Sequence, residues 1–338
     1  MEVYIHIGFP RTGSKWFGAQ VYGKLQNEEF SFNPPAIMKV IGGVISMYGV
    51  EVNNDTLRKA KDFIDNELKK SIAKKLLIHR EGLSMDPWIQ DYGNTHSVLK
   101  YIFPDAKIIV MMRYQVDWIV SLYKGSCQKQ CYQEVKVFLN YSNDNFHPVI
   151  RKPFKRKEKG FGVRKNRLDI NTVKFPELLK LYYDTFGKRN LKILFFEDFK
   201  KDENAVVDDI CKYIGVSAPA IDSFAAIGKG PSAFTCKLMH LIYNGFGLYT
   251  PSFSNSQERD NRNFFARAYM SFAFKINQLI FPTDYDISEK RNLDKLFYYN
   301  WDMLKKDGLR GKLDQIYKED NKKLLEFIQR KRIPDVYL

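Results

Sequence analysis

The feature that most constrains this chain is a strand, a glycine-rich turn and a helix within its first 25 residues. Residues 3–7 (VYIHI) are mostly β-branched or aromatic and predict a strand, which a turn with Gly8 and Gly13 ends. Ser14 can cap the helix predicted over residues 16–25. Unpaired amides at the start of a helix, together with the helix dipole, attract anions. The stretch therefore predicts a phosphate-binding turn.

The cations of this turn distinguish it from the common nucleotide-binding loop. Gly8 and Gly13 have the spacing of a Walker A loop, but Ser14 and Lys15 follow in the reverse of its Lys–Ser/Thr order. In a Walker loop the lysine reaches the β- and γ-phosphates and the hydroxyl binds Mg²⁺, so the reversal disfavours an ordinary P-loop nucleotidase. Arg11 supplies a second cation. The competing interpretation is a turn that only opens an α/β domain.

Composition limits the class of protein. With 338 residues, 44% of them hydrophobic, the chain can form one large domain or two small ones with a sizeable core. A net charge of +15 favours anionic partners without choosing among a phosphorylated cofactor, an acidic polymer, nucleic acid and anionic lipid. The four cysteines are too few for a disulfide framework and lack the companions of a zinc site, so reduced thiols are expected.

The sequence predicts a cytoplasmic protein. It begins directly with the predicted strand, so no signal peptide is expected. It contains no apolar run of about 18 residues, so no membrane span is expected either. The apolar helices predicted at 233–243 and 264–281 are interpreted as core helices, with a position on a membrane surface as the alternative.

Further strands alternate with helices, which is typical of a parallel, doubly wound sheet flanked by helices. They are predicted at residues 75–79, 107–112 and 191–196. The first of them ends in a polar cluster, His79 to Ser84, and the second runs into Arg113. Open α/β sheets bind ligands at the carboxyl ends of their strands, so both ends are candidate binding positions. For Arg113, a salt bridge with Asp117 or another carboxylate is the competing interpretation.

The second half of the chain adds a basic segment, another glycine-rich turn and helices. Residues 151–167 are basic with interleaved phenylalanine and predict a surface loop within an acceptor-side region at 141–169. The loop is interpreted either as a grip on an anionic acceptor or as a solvated run of charge. Residues 227–232 (IGKGPS) form a second glycine-rich basic turn, and residues 233–338 are predicted to be mainly helical.

Four patches, in the right order, resemble the sulfotransferases that use 3′-phosphoadenosine-5′-phosphosulfate (PAPS). Pro10 to Trp16 resembles their 5′-phosphosulfate loop, and Arg113 to Ser121, with Tyr123, resembles their 3′-phosphate motif. Residues 193–199 (ILFFEDF) are similar to the family's strand that ends in a Glu–Asp pair, and residues 317–324 to its C-terminal helix. Two cationic strand ends without a Walker lysine suit a nucleotide that carries both a 5′- and a 3′-phosphate.

The resemblance implies a P-loop NTPase-like sulfotransferase fold with helical C-terminal additions, in one domain over residues 1–338. It implies sulfuryl transfer from PAPS to an acceptor hydroxyl without a metal ion, as in bacterial-type carbohydrate sulfotransferases. The chain departs from the family where Lys is often found in place of Arg11 and Thr in place of Lys15. Residues 140–169 have no assigned counterpart, so the identity of the acceptor is not carried over.

The same resemblance implies which residues bind PAPS. The candidates are Arg11, Thr12, Gly13, Ser14, Lys15, Trp16, Arg113, Ser121, Lys229, Gly230 and Ser232. Arg11, Lys15 and the amides of residues 12–14 would neutralise the charge that grows during transfer. Arg113 and Ser121 would hold the 3′-phosphate, and the turn containing Lys229 would close over the nucleotide.

A hydroxyl acceptor also needs a general base close to the sulfur. Glu81 is the preferred candidate and His79 the second, since both follow the strand at 75–79. Pairing of the Glu81 carboxylate with Arg80 or Arg11 is the competing interpretation. His6 is interpreted as a core or wall residue.

Two functions of other classes stay open. A P-loop-type nucleotide kinase or phosphotransferase would need Mg²⁺ and a working Walker A loop. A non-enzymatic binder of acidic polymer or nucleic acid would rest on the +15 charge, although no nucleic-acid module is recognised and nucleic acid is not the expected partner. For the enzyme, the expected acceptor is a carbohydrate or glycoconjugate, including an anionic one, with a small phenol or alcohol as the alternative.

Overall fold

The computed structural model describes residues 1–45, 53–81, 83–84, 95–128, 133–149, 167–222, 231–245, 301–328 and 333–338. The described strands are β1 (Glu2–His6), β2 (Phe30–Phe32), β3 (Lys75–His79), β4 (Lys107–Met112), β5 (Tyr141–Ser142), β6 (Asn145–Phe146) and β7 (Leu191–Phe195). Five of them form a parallel sheet in the order β2–β3–β1–β4–β7. The strands β5 and β6 form a separate antiparallel pair.

Helices flank this sheet. They are α1 (Ser14–Trp16), α2 (Pro35–Ile45), α3 (Asn54–Lys70), α4 (Thr95–Ile102), α5 (Gln115–Gln128), α6 (Val135–Phe138), α7 (Phe175–Phe186), α8 (Phe196–Lys201), α9 (Glu203–Ile214), α10 (Ala233–Gly245) and α11 (Leu309–Asn321). The parallel sheet between helices confirms the predicted fold class. Side-chain oxygens of Asn53 and Asp202 cap α3 and α9, and the left-handed Gly215 ends α9.

Two apolar layers hold the helices on the sheet. Because neighbouring side chains of a strand point to opposite faces, Ile5, Ile78 and Ile108 lie in one layer, with residues from α2, α4, α5 and α7. Their neighbours Tyr4 and Leu77 lie in the other layer, with residues from α1 and α9. Burying one such large side chain contributes about 1.5–3 kcal/mol, so the two layers fix the positions of the strand ends.

The sheet brings the predicted binding turns to one edge. His6 pairs with His79 between β1 and β3, and His6 pairs with Ile109 between β1 and β4. The carboxyl ends of these three neighbouring strands therefore lie side by side. The turn after β1, the cluster after β3 and Arg113 after β4 all leave the sheet there, which is where open α/β sheets bind ligands.

Several local predictions need correction. The helix predicted at 16–25 is instead α1 followed by a wider π-type segment at Phe17–Val21 and a 3-10 segment at Tyr22–Leu25. The short edge strand β2 and the β5–β6 pair were not predicted. From residue 127 to 140 the sequence favours one continuous helix, but in the structure α5 ends at Gln128 and α6 begins at Val135.

Candidate active site

The turn after β1 is held in shape by its own hydroxyl groups. Thr12 Oγ1 donates a hydrogen bond of 2.6 Å to the Phe9 carbonyl, and Ser14 Oγ donates one of 3.3 Å to the same oxygen. Both side chains are buried, and their hydrogen bonds to this carbonyl fix the backbone of the turn. Ser14 begins α1, and the first amides of a helix have no partner within that helix.

Two left-handed residues give the turn its curvature. Gly13 has φ 85°, which glycine adopts without steric cost. Arg11 has φ 71°, which costs a residue with a Cβ atom about 1–3 kcal/mol and persists only where the surroundings impose it. One such contact is the 2.7 Å hydrogen bond from Trp118 Nε1, on α5, to the carbonyl of Pro10.

Arg113 lies against this turn. Its Nη1 donates to the carbonyl of Arg11 at 3.0 Å, and its guanidinium lies 4.9 Å from the centre of the Phe196 ring. Burial lowers the pKa of the guanidinium, while the nearby Asp117 and Glu197 carboxylates act in the opposite direction. Arg113 Nε is buried without a hydrogen-bond partner among the described residues.

The salt bridge that competed with this assignment is not formed. The Asp117 carboxylate contacts Arg310 Nη1 at 3.3 Å instead, and Arg310 also binds Asp302 at 2.7 Å. No ion pair joins Arg113 to a carboxylate among the described residues. Donors of Arg113 therefore remain for a ligand.

Ser121 and Arg11 connect the two predicted phosphate positions. Arg11 Nε donates to Ser121 Oγ at 3.2 Å, across 110 positions of sequence. The Arg11 side chain lies along α5, where a Cβ atom at Gly125 would be 3.6 Å from Nε, an ordinary contact. The residues predicted for the 5′ and the 3′ side thus form one continuous cationic site: Arg11, Ser121 and Arg113.

The cluster after β3 is tied to the same turn. Ser84 is buried and its Oγ donates to the Gly8 carbonyl at 3.3 Å. The carbonyl of Leu83 accepts a 2.8 Å hydrogen bond from Tyr182, which anchors this segment to α7. Glu81, between this anchor and β3, is exposed. Among the described residues its carboxylate forms no ion pair, so the competing pairing with Arg80 or Arg11 is not observed.

His79 lies in a different environment. Its ring stacks on His6 with centroids 4.7 Å apart and meets the Tyr22 ring edge-on at 5.3 Å. Burial lowers its pKa to about 4. His6 is also buried, with Nδ1 2.8 Å from the Tyr22 hydroxyl, as expected for a core residue. Both rings pack against the segment at residues 17–25, where Phe17 contacts His6 and Tyr22 contacts His79.

The structure places the remaining candidates as follows. Lys15 is exposed at the turn, and Trp16 is buried against Phe17 and Phe199. Ser232 is buried and caps α10, because its Oγ accepts from the Thr235 amide at 3.1 Å. Lys229, Gly230, the basic segment 151–166 and the predicted helix at 264–281 lie outside the described residues.

Residues 333–338 contact Glu197, whose carboxylate acts to raise the pKa of the Arg113 guanidinium, and this contact was not predicted from the sequence. The Glu197 carboxylate accepts from the Tyr114 amide at 3.1 Å and from the Tyr337 hydroxyl at 3.0 Å. The buried Tyr337 ring also packs edge-on against Tyr114 and Phe195. Glu197 therefore has a structural role. No local pattern around Tyr337 could have indicated a partner 140 positions away.

The described residues contain neither a metal-binding cluster nor a helix that could span a membrane. No group of three or more His, Cys, Asp or Glu side chains there is arranged to hold a metal ion. Nor does any described helix combine the length and the apolar character needed to cross a membrane.

Comparison with known proteins assigns the family. The model of the Sulfotransferase domain matches residues 4–226, about two thirds of the chain, and this range contains β1, β3, β4 and β7 with the turns that follow them. The chain therefore belongs to the sulfotransferase domain family, and it is a sulfotransferase, as the sequence resemblance predicted. No curated protein matches the chain.

Solved structures of sulfotransferases are similar at low identity. The sulfotransferase from Alicyclobacillus acidocaldarius is 16% identical with a TM-score of 0.43, the match covering 79% of this chain and 99% of that one. A sulfotransferase domain from the curacin biosynthetic pathway is 14% identical (TM-score 0.35; 64% and 75% covered). Mouse sulfotransferase SULT7A1, solved with PAP (adenosine 3′,5′-bisphosphate), is 13% identical (TM-score 0.31; 65% and 60% covered). With TM-scores this low, the family assignment rests on the domain match.

Proposed function

We propose that this sulfotransferase moves the sulfuryl group of PAPS to a hydroxyl group of its acceptor. The observation that carries the proposal is the continuous cationic site at the sheet edge. Arg113 contacts the backbone of the turn after β1, and Arg11 of that turn contacts Ser121. A donor with phosphates on both its 5′ and 3′ positions can occupy both halves of this site at once.

The site residues fit such a donor. A buried hydrogen-bond donor without a partner, such as Arg113 Nε, costs about 1–3 kcal/mol, which a bound phosphate oxygen would recover. A Cβ atom at Gly8 would lie 3.0 Å from Ser14 Oγ, so glycine keeps the inside of the turn open. Guanidinium groups bind phosphate with parallel hydrogen bonds, which suits Arg113 for the 3′-phosphate.

PAPS supplies a sulfuryl group on an oxygen that departs with PAP. The acceptor oxygen attacks sulfur in line, forming the new O–S bond as the bond to the leaving oxygen breaks. Arg11, Lys15 and the amides of residues 12–14 hold the reactants and stabilise the negative charge that develops on the leaving phosphate. Trp16 packs beneath the turn and supports its shape. Arg113 and Ser121 hold the 3′-phosphate and so select PAPS over other nucleotides.

Glu81 is the proposed general base that takes the proton of the acceptor hydroxyl. It is exposed on a segment that Ser84 ties to the turn after β1, close to where sulfur would sit. His79, the second candidate, is packed into the His6 stack with a pKa of about 4, so its ring is poorly placed to take a proton from the acceptor.

The proposed acceptor is a carbohydrate or glycoconjugate. The charge of +15 supports an acceptor, or a surface carrying it, that is itself anionic. A cytoplasmic location with peripheral membrane contact, a closing role for residues 229–232 and a gripping role for residues 151–167 remain predictions from the sequence. The same holds for a single domain over residues 1–338 with an acceptor-side loop at 141–169.

Thermal stabilisation by nucleotides separates this proposal from a kinase. PAP should raise the melting temperature in the absence of metal, while ATP with Mg²⁺ should have little effect, because the turn lacks the Walker lysine and hydroxyl order. Stabilisation by ATP with Mg²⁺ but not by PAP would contradict the proposal and favour the kinase. Stabilisation by neither would favour a non-enzymatic binder.

A further inference from the structure

Directly beside the proposed base lies an arginine that has no side-chain partner among the described residues. Arg80 follows β3 and precedes Glu81, and it is half-buried. Its guanidinium forms neither a hydrogen bond nor an ion pair with any residue that the structure describes. A half-buried cation has lost part of its hydration, which costs free energy. An anionic ligand would offset this cost by pairing with the guanidinium.

A glycine of α2 makes room for this guanidinium. A Cβ atom at Gly42 would overlap Arg80 Nη1 and lie 3.4 Å from Cζ. The guanidinium therefore rests directly on the backbone of α2. At the next residue, Gly43, no atom of a described residue lies within 4 Å of the position of a Cβ atom. Glycine inside a helix is destabilising relative to alanine. At position 42 the close contact with Arg80 explains why glycine is present, because a larger residue would displace the guanidinium.

We propose that Arg80 binds a carboxylate or sulfate group of the acceptor, so that this enzyme acts on anionic acceptors. The inference rests on the proposed function, because it assumes that the acceptor hydroxyl approaches Glu81. The planar guanidinium fork matches the two oxygens of a carboxylate or sulfate. Arg80 and Glu81 are consecutive residues with Cα atoms about 3.8 Å apart, so an acceptor that carries its anionic group on the same unit as the reacting hydroxyl, or on an adjacent unit, can reach both side chains.

Matched sugars test this specificity. The protein is first saturated with PAP, and the binding of phenyl β-D-glucoside, phenyl β-D-glucuronide and phenyl β-D-glucoside 6-sulfate is then measured by calorimetry. The wild-type protein should bind at least one of the two anionic sugars about tenfold more tightly than the neutral one, as expected for a charge-assisted hydrogen bond at a half-exposed position. Preference for one anionic sugar identifies the group as carboxylate or sulfate, and equal preference shows that both are accepted.

Two variants of α2 separate binding by Arg80 from a structural role. Gly42→Ala keeps every charge but displaces the guanidinium, and it should reduce the preference to about twofold or less. It should not lower the melting temperature, because alanine favours the helix. Gly43→Ala makes the same change at a position that no described residue crowds, and it should keep the wild-type preference. Arg80→Gln removes the charge and should abolish the preference.

The outcomes are decisive in either direction. No preference in the wild-type protein, or the same preference in Arg80→Gln, overturns the inference. Loss of preference in Gly43→Ala as well as in Gly42→Ala also overturns it, because the effect would then belong to the helix and not to Arg80. If PAP still stabilises these samples, the proposed donor site stands although this inference fails; if PAP does not bind at all, the proposed function itself fails.

Discussion

Replacement of Arg113 by alanine should weaken PAP binding about 100-fold while leaving the fold intact. The guanidinium donates one hydrogen bond to the Arg11 carbonyl, and its Nε is buried without a partner among the described residues. A phosphate bound by two of the remaining donors loses two charge-assisted hydrogen bonds in the variant. At about 1.5 kcal/mol each, the low end for charged groups, this is about 3 kcal/mol, or roughly 150-fold in Kd.

The cost to stability should be much smaller. The variant leaves the Arg11 carbonyl without this donor, which costs about 1 kcal/mol, but it also removes a cation that burial has partly desolvated. Calorimetric titration with PAP gives Kd, and a thermal scan checks folding. A Kd within threefold of wild type, with an unchanged melting temperature, would refute the assignment of Arg113.

Lys200→Ala is the matched control for this prediction. Lys200 Nζ lies 5.6 Å from the centre of the same Phe196 ring on which Arg113 stacks, but its side chain is exposed. Removing it takes one positive charge from the same neighbourhood without touching the turn after β1. PAP affinity should change by less than about threefold, because a solvent-exposed charge is screened. An equal loss in both variants would mean that net charge, and not the geometry of Arg113, binds PAP.

The remaining predictions concern the proposed base Glu81, the contact of Tyr337 with Glu197 and the buried His79. Glu81→Gln should lower kcat about 100-fold with PAP affinity unchanged, the size expected for a general base; unchanged kcat would remove Glu81 from that role. Tyr337→Phe removes a hydrogen bond to Glu197 and should weaken PAP binding about fivefold. Tyr114→Phe removes a hydrogen bond to Asp314 and should leave PAP binding unchanged. Equal Kd values for the two variants and wild type would show that Tyr337 does not position Arg113. The pKa of His79 is about 4 in the folded protein, against an ordinary value of 6.5. As the pH falls, the unfolded chain is protonated before the folded protein, so the free energy of unfolding decreases between pH 6.5 and 4. At pH 5 the contribution of His79 to this loss is about 2 kcal/mol. The buried His6, whose pKa burial also lowers, adds its own loss in both proteins, so urea unfolding at pH 7.5 and 5 should show a loss that is smaller by about that amount in His79→Leu than in wild type; the same loss in both would contradict it.

The sheet edge of the candidate site could be predicted from the sequence. Residues 108–112 form a continuous apolar run, which is typical of a strand buried on both faces, and Arg113 follows directly. Parallel pairing then places that arginine near the turn after β1, whatever the details of the helices. This is why the turn and Arg113, identified as separate motifs, are in contact in the structure.

Other parts of the site depend on contacts that no local pattern encodes. The contact of Ser121 with Arg11 depends on how α5 is rotated about its axis, which buried packing decides. The stacking of His79 on His6 follows from the register of β1 on β3, so a histidine at a strand end could be taken for a candidate base. Strand β2, with three residues, is too short for propensity to specify.

Transfer of labelled sulfate from PAPS tests the central claim most directly. The protein is incubated with PAPS that carries ³⁵S in the sulfuryl group and with pooled carbohydrate, lipid-linked glycan and small phenolic acceptors. The account predicts a labelled acceptor together with an equal amount of PAP, and loss of both products in the Arg113→Ala variant. No transfer to any acceptor class, with no stabilisation by PAP, would contradict it.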